Sequence, residues 1–384
     1  MNDQDVFEVF KLSSVLKEVP NESILSTKWV FTKKQNPERF KGRNWLIHTF
    51  RVKVAFLHRL IDKPIYLWTP KGIYFPKHSV LKLKKELYGT KKAVRCWWLH
   101  LKEILHINGE DPSSYYFDSP KGKAILWIHV DDGALTGSLN EVLDYILGYR
   151  SLQIKWDTKV TRLVGLLIAK IAKGYRFYQT DLIDKLINLT PSKITSSSPL
   201  PPHCKLESNA SNILDKKYLK GIGILLYIAQ GSRPDISYAA NYLARFSMGT
   251  NASHWEALEH LIVYIRKTRL MGAQITRSEH FHTLHTYVDT NGGDEGHQST
   301  HGFLLMHSNN PILWQSKRQA TVAASTAQAK YISLSFFAQE CLWILNSYHP
   351  LLCNTAPTFF SDNKTAIGIA NGSVSRMKTR HFIQ

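Results

Sequence analysis

Cysteine, acidic side chains and long apolar runs are all scarce in this sequence. Four cysteines in 384 residues, Cys96, Cys204, Cys341 and Cys353, are too few and too scattered for a disulfide framework or a zinc knuckle. That pattern implies a reducing interior. The longest apolar stretch, Gly221–Ala229, is far shorter than the roughly 20 residues that cross a bilayer. The opening MNDQDVFEVF lacks the basic region and apolar core of a secretion signal. The chain is therefore read as soluble and intracellular, in cytoplasm or nucleus, with no membrane partner. Acidic residues number 30 against 49 Lys and Arg, a formal charge of +19. An excess of this size suits a polyanionic partner, since clustered Lys and Arg release counterions from phosphates. Residues 281–384 hold 7 basic against 5 acidic residues, leaving 42 against 25 before them, so the charge is concentrated in the first 280 residues.

With 43% hydrophobic residues the chain can bury two or three cores. The most informative stretch is Lys123–Gly137, KAILWIHVDDGALTG. Ala124–Val130 has strand length and strand composition, Asp131-Asp132-Gly133 is turn chemistry, and a second short run follows, which together predict a β-hairpin. Adjacent carboxylates at such a tip hold a divalent cation, or they are a solvated turn. The residues alone leave both readings open.

A strand is expected at Thr27–Thr32, followed by a polar turn to Glu38, and a short amphipathic helix at Glu141–Gly148. Trp97, Trp98 and Leu101 read as core. Residues 192–203 are Ser/Pro-rich without periodicity and predict a linker. Leu214–Gln230 and Pro234–Phe246 predict helices. Ser253-His254-Trp255-Glu256 reads as a capping box, and Trp255, Leu258, Leu261, Ile262 and Ile265 share one face of the helix it opens. His280, His282 and His285 have no paired Cys or HExxH helix beside them and read as surface histidines.

WIHVDDGALTG resembles the Y-V-D-D hairpin of reverse transcriptases from copia-type long-terminal-repeat retrotransposons, with His129 where the family usually has Tyr. Further similarities follow in the family's order: Lys28–Phe31, Val52–His58, Leu81–Trp97, Leu163–Gln179, Tyr218–Phe246, Tyr287–Phe303, Trp314–Tyr331 and Ser361–Ala370. The resemblance covers nearly the whole chain and is identified as one to a truncated, degenerate Pol polyprotein. It implies an α+β fold with α/β parts: reverse-transcriptase fingers and palm over 6–192, a helical thumb or connection over 193–280, and an RNase H-like mixed sheet with helices over 281–384, truncated at its C-terminus. Glu38–Arg43 resembles a fingers segment, yet Asn44-Trp45-Leu46-Ile47-His48 resembles the stretch just before the first catalytic strand, which implies an internal deletion near 43/44.

By resemblance, Asp131, Asp132, Asp289 and Asp362 are the catalytic and metal-binding acids. Mg2+, or Mn2+, is the implied cofactor, and no small-molecule cofactor is expected. Lys41, Arg43, Gly89, Lys91, Lys92 and Arg95 fall in segments that contact nucleic acid in the family. The implied partners are an RNA template, a DNA primer and an RNA–DNA hybrid. Three further acids are replaced, by Arg51, Lys330 and Ile383. A guanidinium cannot be deprotonated, so Arg51 is expected to weaken metal binding. It is also expected to pair with Asp131 or Asp132 in a two-pronged guanidinium–carboxylate contact, as an internal substitute for the ion. The family activity is RNA-directed DNA polymerisation, and the chain is expected to be inactive at both sites. The alternative is a nucleic-acid-binding module without chemistry.

Overall fold

The computed structural model describes residues 47–52, 55, 66–68, 80–82, 93–105, 113–119, 122–137, 154–157, 161–190, 196–208, 214–276, 283–291, 298–348 and 356–373. Outside these residues lie the expected strand at Thr27–Thr32, the helix at Glu141–Gly148, and Lys41, Arg43, Gly89, Lys91, Lys92, His280, His282 and Ile383. The chain is mixed α/β and divides into two compact units, one within Gly42–Gly165 and the other from Leu166 onward.

In the first unit the strands are β1 (Ile47–Val52), β2 (Tyr66–Trp68), β3 (Val80–Lys82), β4 (Ser114–Ser119), β5 (Gly122–His129), β6 (Asp132–Gly137), β7 (Ile154–Asp157) and the short β8 (Arg162–Leu163). Five of them form an antiparallel sheet in the order β4-β5-β6-β1-β7, and β2 pairs with β3. Alternation decides the faces. Ala124, Leu126 and Ile128 of β5 point into the core while Ile125, Trp127 and His129 are only half buried. Helix α1 (Ala93–Leu105) adds Trp97 and Leu101 to that core, whereas Trp98, also expected there, is only half buried beneath the Lys102 ammonium.

The hairpin forms as expected, but its turn comes earlier than the Asp-Asp-Gly composition indicated. His129 pairs with Asp132, which leaves Val130 and Asp131 as the turn, and Val130 sits at φ 60°, a position that normally selects glycine. The indole of Trp97 donates to the Val130 carbonyl at 2.5 Å and holds this strained residue in place. Gly133 lies within β6, and a Cβ there would stand 2.2 Å from Cζ of Phe50. Its smallness serves packing and not the turn.

The second unit opens with β9 (Leu166–Ile171) and β10 (Gly174–Tyr178), an antiparallel pair joined on the far edge of β10 by β11 (Ala273–Thr276). Between them in sequence come α2 (Thr180–Ile187), α3 (Lys216–Gly231), a single 3-10 turn Pro234–Ile236 running into α4 (Ser237–Ala244), and α5 (Ala252–Lys267). Leu258, Leu261, Ile262 and Ile265 of α5 are buried, and its partly buried Trp255 packs against the same core. Its capping box begins at Asn251, whose side chain accepts from the His254 amide while the His254 ring accepts from the Asn251 amide. The cap is two residues before Ser253, because an Asn acceptor and a His at the third helical position satisfy the same orphan donors as the expected Ser and Glu.

The described part of the expected linker is pinned down. Ser196 is buried and its hydroxyl lies 2.8 Å from Nε2 of His260, and the Ser198 hydroxyl donates to the Leu200 carbonyl at 2.7 Å. Arg233, in the turn after α3, is fully buried and donates to Asp235 and to the Thr268 carbonyl and hydroxyl. These bonds fix the α3–α4 corner to the end of α5.

The last sheet has the order β14-β13-β12-β15, from β12 (Leu284–Asn291), β13 (Thr300–His307), β14 (Asn310–Arg318) and β15 (Thr358–Phe360), with β15 parallel to β12. Helix α6 (Thr326–Tyr348) buries a stripe of Ala329, Ser333, Phe337, Cys341 and Ile344, and α7 (Lys364–Ala370) follows β15. Cys96, Cys204 and Cys341 carry unbridged thiols. Among the described residues no helix is long and apolar enough to cross a membrane.

Candidate functional site

Two acidic centres, one in each unit, collect the described site residues. At the first, antiparallel pairing of β1 with β6 sets Arg51 opposite Asp132. Nε of Arg51 donates to Oδ1 of Asp132 at 2.7 Å and lies 3.8 Å from Oδ2 of Asp131. The contact is a single hydrogen bond plus a longer ion pair, not the two-pronged contact expected, because the side chain approaches the strand tip with its Nε edge. The hydrogen bond to Asp132 holds the guanidinium above its ordinary pKa. Asp157, on β7 at the other edge of β1, adds a further attraction to Arg51 and accepts from the Thr49 hydroxyl at 3.3 Å. Sequence reading missed Asp157, since nothing local marks a residue that reaches the centre only through strand pairing.

The second centre is built on β12, α6 and the turn after β15. Lys330 donates to Oδ1 of Asp289 at 3.2 Å and to Oδ1 of Asp362. Its side chain is 13% exposed, whereas those of Asp289 and Asp362 are 81% and 67% exposed. Burial alone would lower the Lys330 pKa, but its hydrogen bonds to Asp362 and Asp289 outweigh that and raise it. A buried polar chain positions the ammonium. Gln319 donates to the Ala329 carbonyl and the Ser333 hydroxyl, and Ser333 lies 2.6 Å from the Thr290 hydroxyl, which locks α6 to β12 three residues from Lys330 and one from Asp289. Gln328, in the same first turn of α6, accepts from the Ala324 amide and serves the helix start. An open groove of about 630 Å³ beside Asp289 and Asp362 is walled by Tyr287, Phe303 and Phe360.

Arg95 is exposed in the first turn of α1. His285 packs edge-on against Phe360, with ring centroids 5.2 Å apart, which accounts for it without a metal.

The residues present do not fit a divalent ion at either centre. Among the described residues no group of three or more His, Cys, Asp or Glu is placed to hold one. At the first centre a dication about 4 Å from the guanidinium meets repulsion of about 2 kcal/mol at the dielectric of water and about 8 kcal/mol at an effective dielectric of 20. At the second, the ammonium already occupies the space between the two carboxylates.

Residues 40–200 match the family model described as reverse transcriptase (RNA-dependent DNA polymerase). The chain is 28% identical over 355 residues to the retrovirus-related Pol polyprotein from transposon TNT 1-94 of Nicotiana tabacum, covering 86% of this chain and 27% of that protein. It is also 28% identical over 362 residues to the Pol polyprotein from transposon RE1 of Arabidopsis thaliana, covering 88% of this chain and 24% of the relative. A transposon Ty5-1 protein of Saccharomyces cerevisiae is 28% identical over 312 residues, 75% of this chain and 99% of that protein. The chain thus spans about a quarter of the length of the two plant polyproteins. The matched segment contains Arg51, Asp131 and Asp132: residues 40–200 belong to the reverse transcriptase family, and the chain is similar over most of its length to copia-type retrotransposon Pol polyproteins.

Proposed function

We propose that this protein engages nucleic acid as a retrotransposon-derived reverse-transcriptase relative that neither extends primers nor cuts hybrids. In this reading residues 6–192 are the polymerase part, internally deleted near 43/44, residues 193–280 are the helical connection, and residues 281–384 are an RNase H-like domain. The observation that carries it is the Arg51 Nε on Asp132 Oδ1 at 2.7 Å. Nucleotidyl transfer in this family relies on divalent ions held by carboxylates, with Mg2+ the usual one. Here a fixed cation sits on those carboxylates, and Lys330 repeats the arrangement at Asp289 and Asp362.

Retained affinity for RNA, DNA or their hybrid is supported by the charge of +19, which carboxylate loss at the centres does not diminish. Primer extension on an RNA template with Mg2+ or Mn2+ tests the polymerase half. The expected result is incorporation no higher than that of an Asp131→Ala, Asp132→Ala double variant; template-dependent incorporation above it overturns the reading. Hybrid cleavage that Asp289→Asn abolishes overturns the nuclease half. A chain without salt-dependent affinity for any oligonucleotide is a remnant without this function.

A further inference from the structure

Away from the acidic centres, the second unit gathers positive charge that its own carboxylates do not neutralise. Arg245 continues the backbone of α4, and its Nη2 donates to the Thr300 hydroxyl at 2.5 Å. Thr300 is the cross-strand partner of Arg318, and His301 that of Lys317. The start of β13 and the end of β14 therefore bring Arg245 and Arg318 together, while Lys317, next to Arg318 on β14, projects to the other face with its ammonium 5.7 Å over the Phe336 ring of α6. Among the described residues no carboxylate forms an ion pair with any of the three. Burial first, and then the neighbouring charge of Arg318, hold Arg245 below its ordinary pKa. Like charges kept together at a cost mark a place where an anion would be welcome.

The surroundings narrow the anion. Ser237, Asn241 and Arg245 lie four residues apart on one face of α4. Ser237 and Asn241 border a cavity of about 330 Å³ between α3, α4 and β14, also lined by Gln230, Gln315 and Lys317. Oε1 of Gln315 is buried and accepts no hydrogen bond among the described residues. Tyr238 and Tyr242 are stacked with centroids 5.9 Å apart, the Arg245 guanidinium lies 5.1 Å over Tyr242, and Tyr238 is 43% exposed.

We propose that this junction is a cleft for one nucleic-acid strand, with Arg245 and Arg318 on one phosphate, Lys317 on another across the end of β14, the Asn241 and Gln315 amides on a sugar or base edge, and Tyr238 offering a ring for stacking. Cations, amides and an exposed aromatic ring side by side are the combination that holds a single strand, whereas an acidic peptide has no use for the ring. The proposal rests on the nucleic-acid reading above and adds the surface that performs it.

The test is fluorescence anisotropy of the full chain with a labelled single-stranded RNA of about 15 nucleotides, across a salt series. Lys317→Gln with Arg318→Gln removes two exposed charges and none of the hydrogen bonds described above. The double variant is expected to bind about tenfold or more weakly, with a log–log salt slope smaller by about 1.4, while Lys205→Gln changes little. Arg245→Lys, which keeps the charge, should bind nearly as well as the parent, and Arg245→Gln should not. Equal binding by parent and double variant, with unchanged melting, overturns the cleft and leaves the nucleic-acid reading standing. Absence of binding by the parent at any salt overturns both. Tighter binding of polyglutamate or anionic vesicles than of RNA, lost in the double variant, overturns the strand as occupant.

Discussion

Arg51 and Asp132 face each other across the β1–β6 pair, with Nε 2.7 Å from Oδ1. The guanidinium of a β1 residue thus engages a carboxylate oxygen at the hairpin tip that would otherwise be open to a metal. The second centre repeats the substitution on an unrelated frame, since Lys330 comes from a helix and bridges acids on a strand and a turn. In each place a cation stands between two acids, so the chain itself partly neutralises the local charge.

Replacing that cation should reopen the first centre. Arg51→Asp removes the repulsion of about 2 to 8 kcal/mol and adds a third carboxylate. Mn2+ affinity measured by calorimetry is expected to rise at least about tenfold. Affinity equal to that of the parent would show that the Arg51 contact does not govern ion binding.

At the second centre, Lys330→Met leaves Asp289 and Asp362 facing each other. Both carboxylates are largely exposed and water screens them, so the loss is about 1 kcal/mol, a fall in Tm of about 2 to 4 °C. The sign of the pH effect follows from the raised Lys330 pKa. Its contribution is intact below the ordinary lysine value of 10.5 and is lost as pH rises through the folded value. Parent and Lys330→Met should therefore differ in Tm at pH 7 and converge in strong alkali. A constant difference across that range would assign Lys330 a packing role only.

Gly133→Ala tests the packing beneath the hairpin. The new Cβ would stand 2.2 Å from Cζ of Phe50, a ring in the core of the sheet, so Phe50 or the strand must move. The expected cost is about 1 to 3 kcal/mol. Adding Phe50→Leu should recover part of it, because the smaller side chain vacates the space the methyl enters. Chemical denaturation of the two single variants and the double variant measures the coupling, and strict additivity would argue that the glycine serves the backbone instead.

His301 predicts an acid-sensitive second unit. Its ring is buried against Phe336 and Phe337, neither nitrogen has a hydrogen-bond partner among the described residues, and burial, with help from Lys317, pushes its pKa down to about 4 from 6.5. Between those values the unfolded chain binds a proton that the folded chain refuses, so stability is full above pH 6.5 and falls as pH drops toward 4. The total is at most about 3 kcal/mol. His301→Phe should flatten the Tm profile over this window, and an unchanged profile would place the titrating group elsewhere.

Local pattern alone determined several elements of this protein. The hairpin at Lys123–Gly137, the buried faces of α1 and α5 and the helices after Leu214 follow from alternation, helical spacing and turn residues, which act between near neighbours. The motif order likewise made the family legible, and it drew attention to Arg51 and Lys330 as replacements. Tertiary structure alone decided the rest. The turn moved to Val130 because Trp97, from a distant helix, anchors its carbonyl, and Gly133 went into the strand because Phe50 needed its space. Asp157 joined the first centre through strand pairing, and Arg245 met Arg318 because Thr300 lies between them on a shared sheet edge. Such contacts join residues tens to hundreds of positions apart, and no periodicity records them: residue types and spacing set which elements form, while the packing of those elements sets which charges meet.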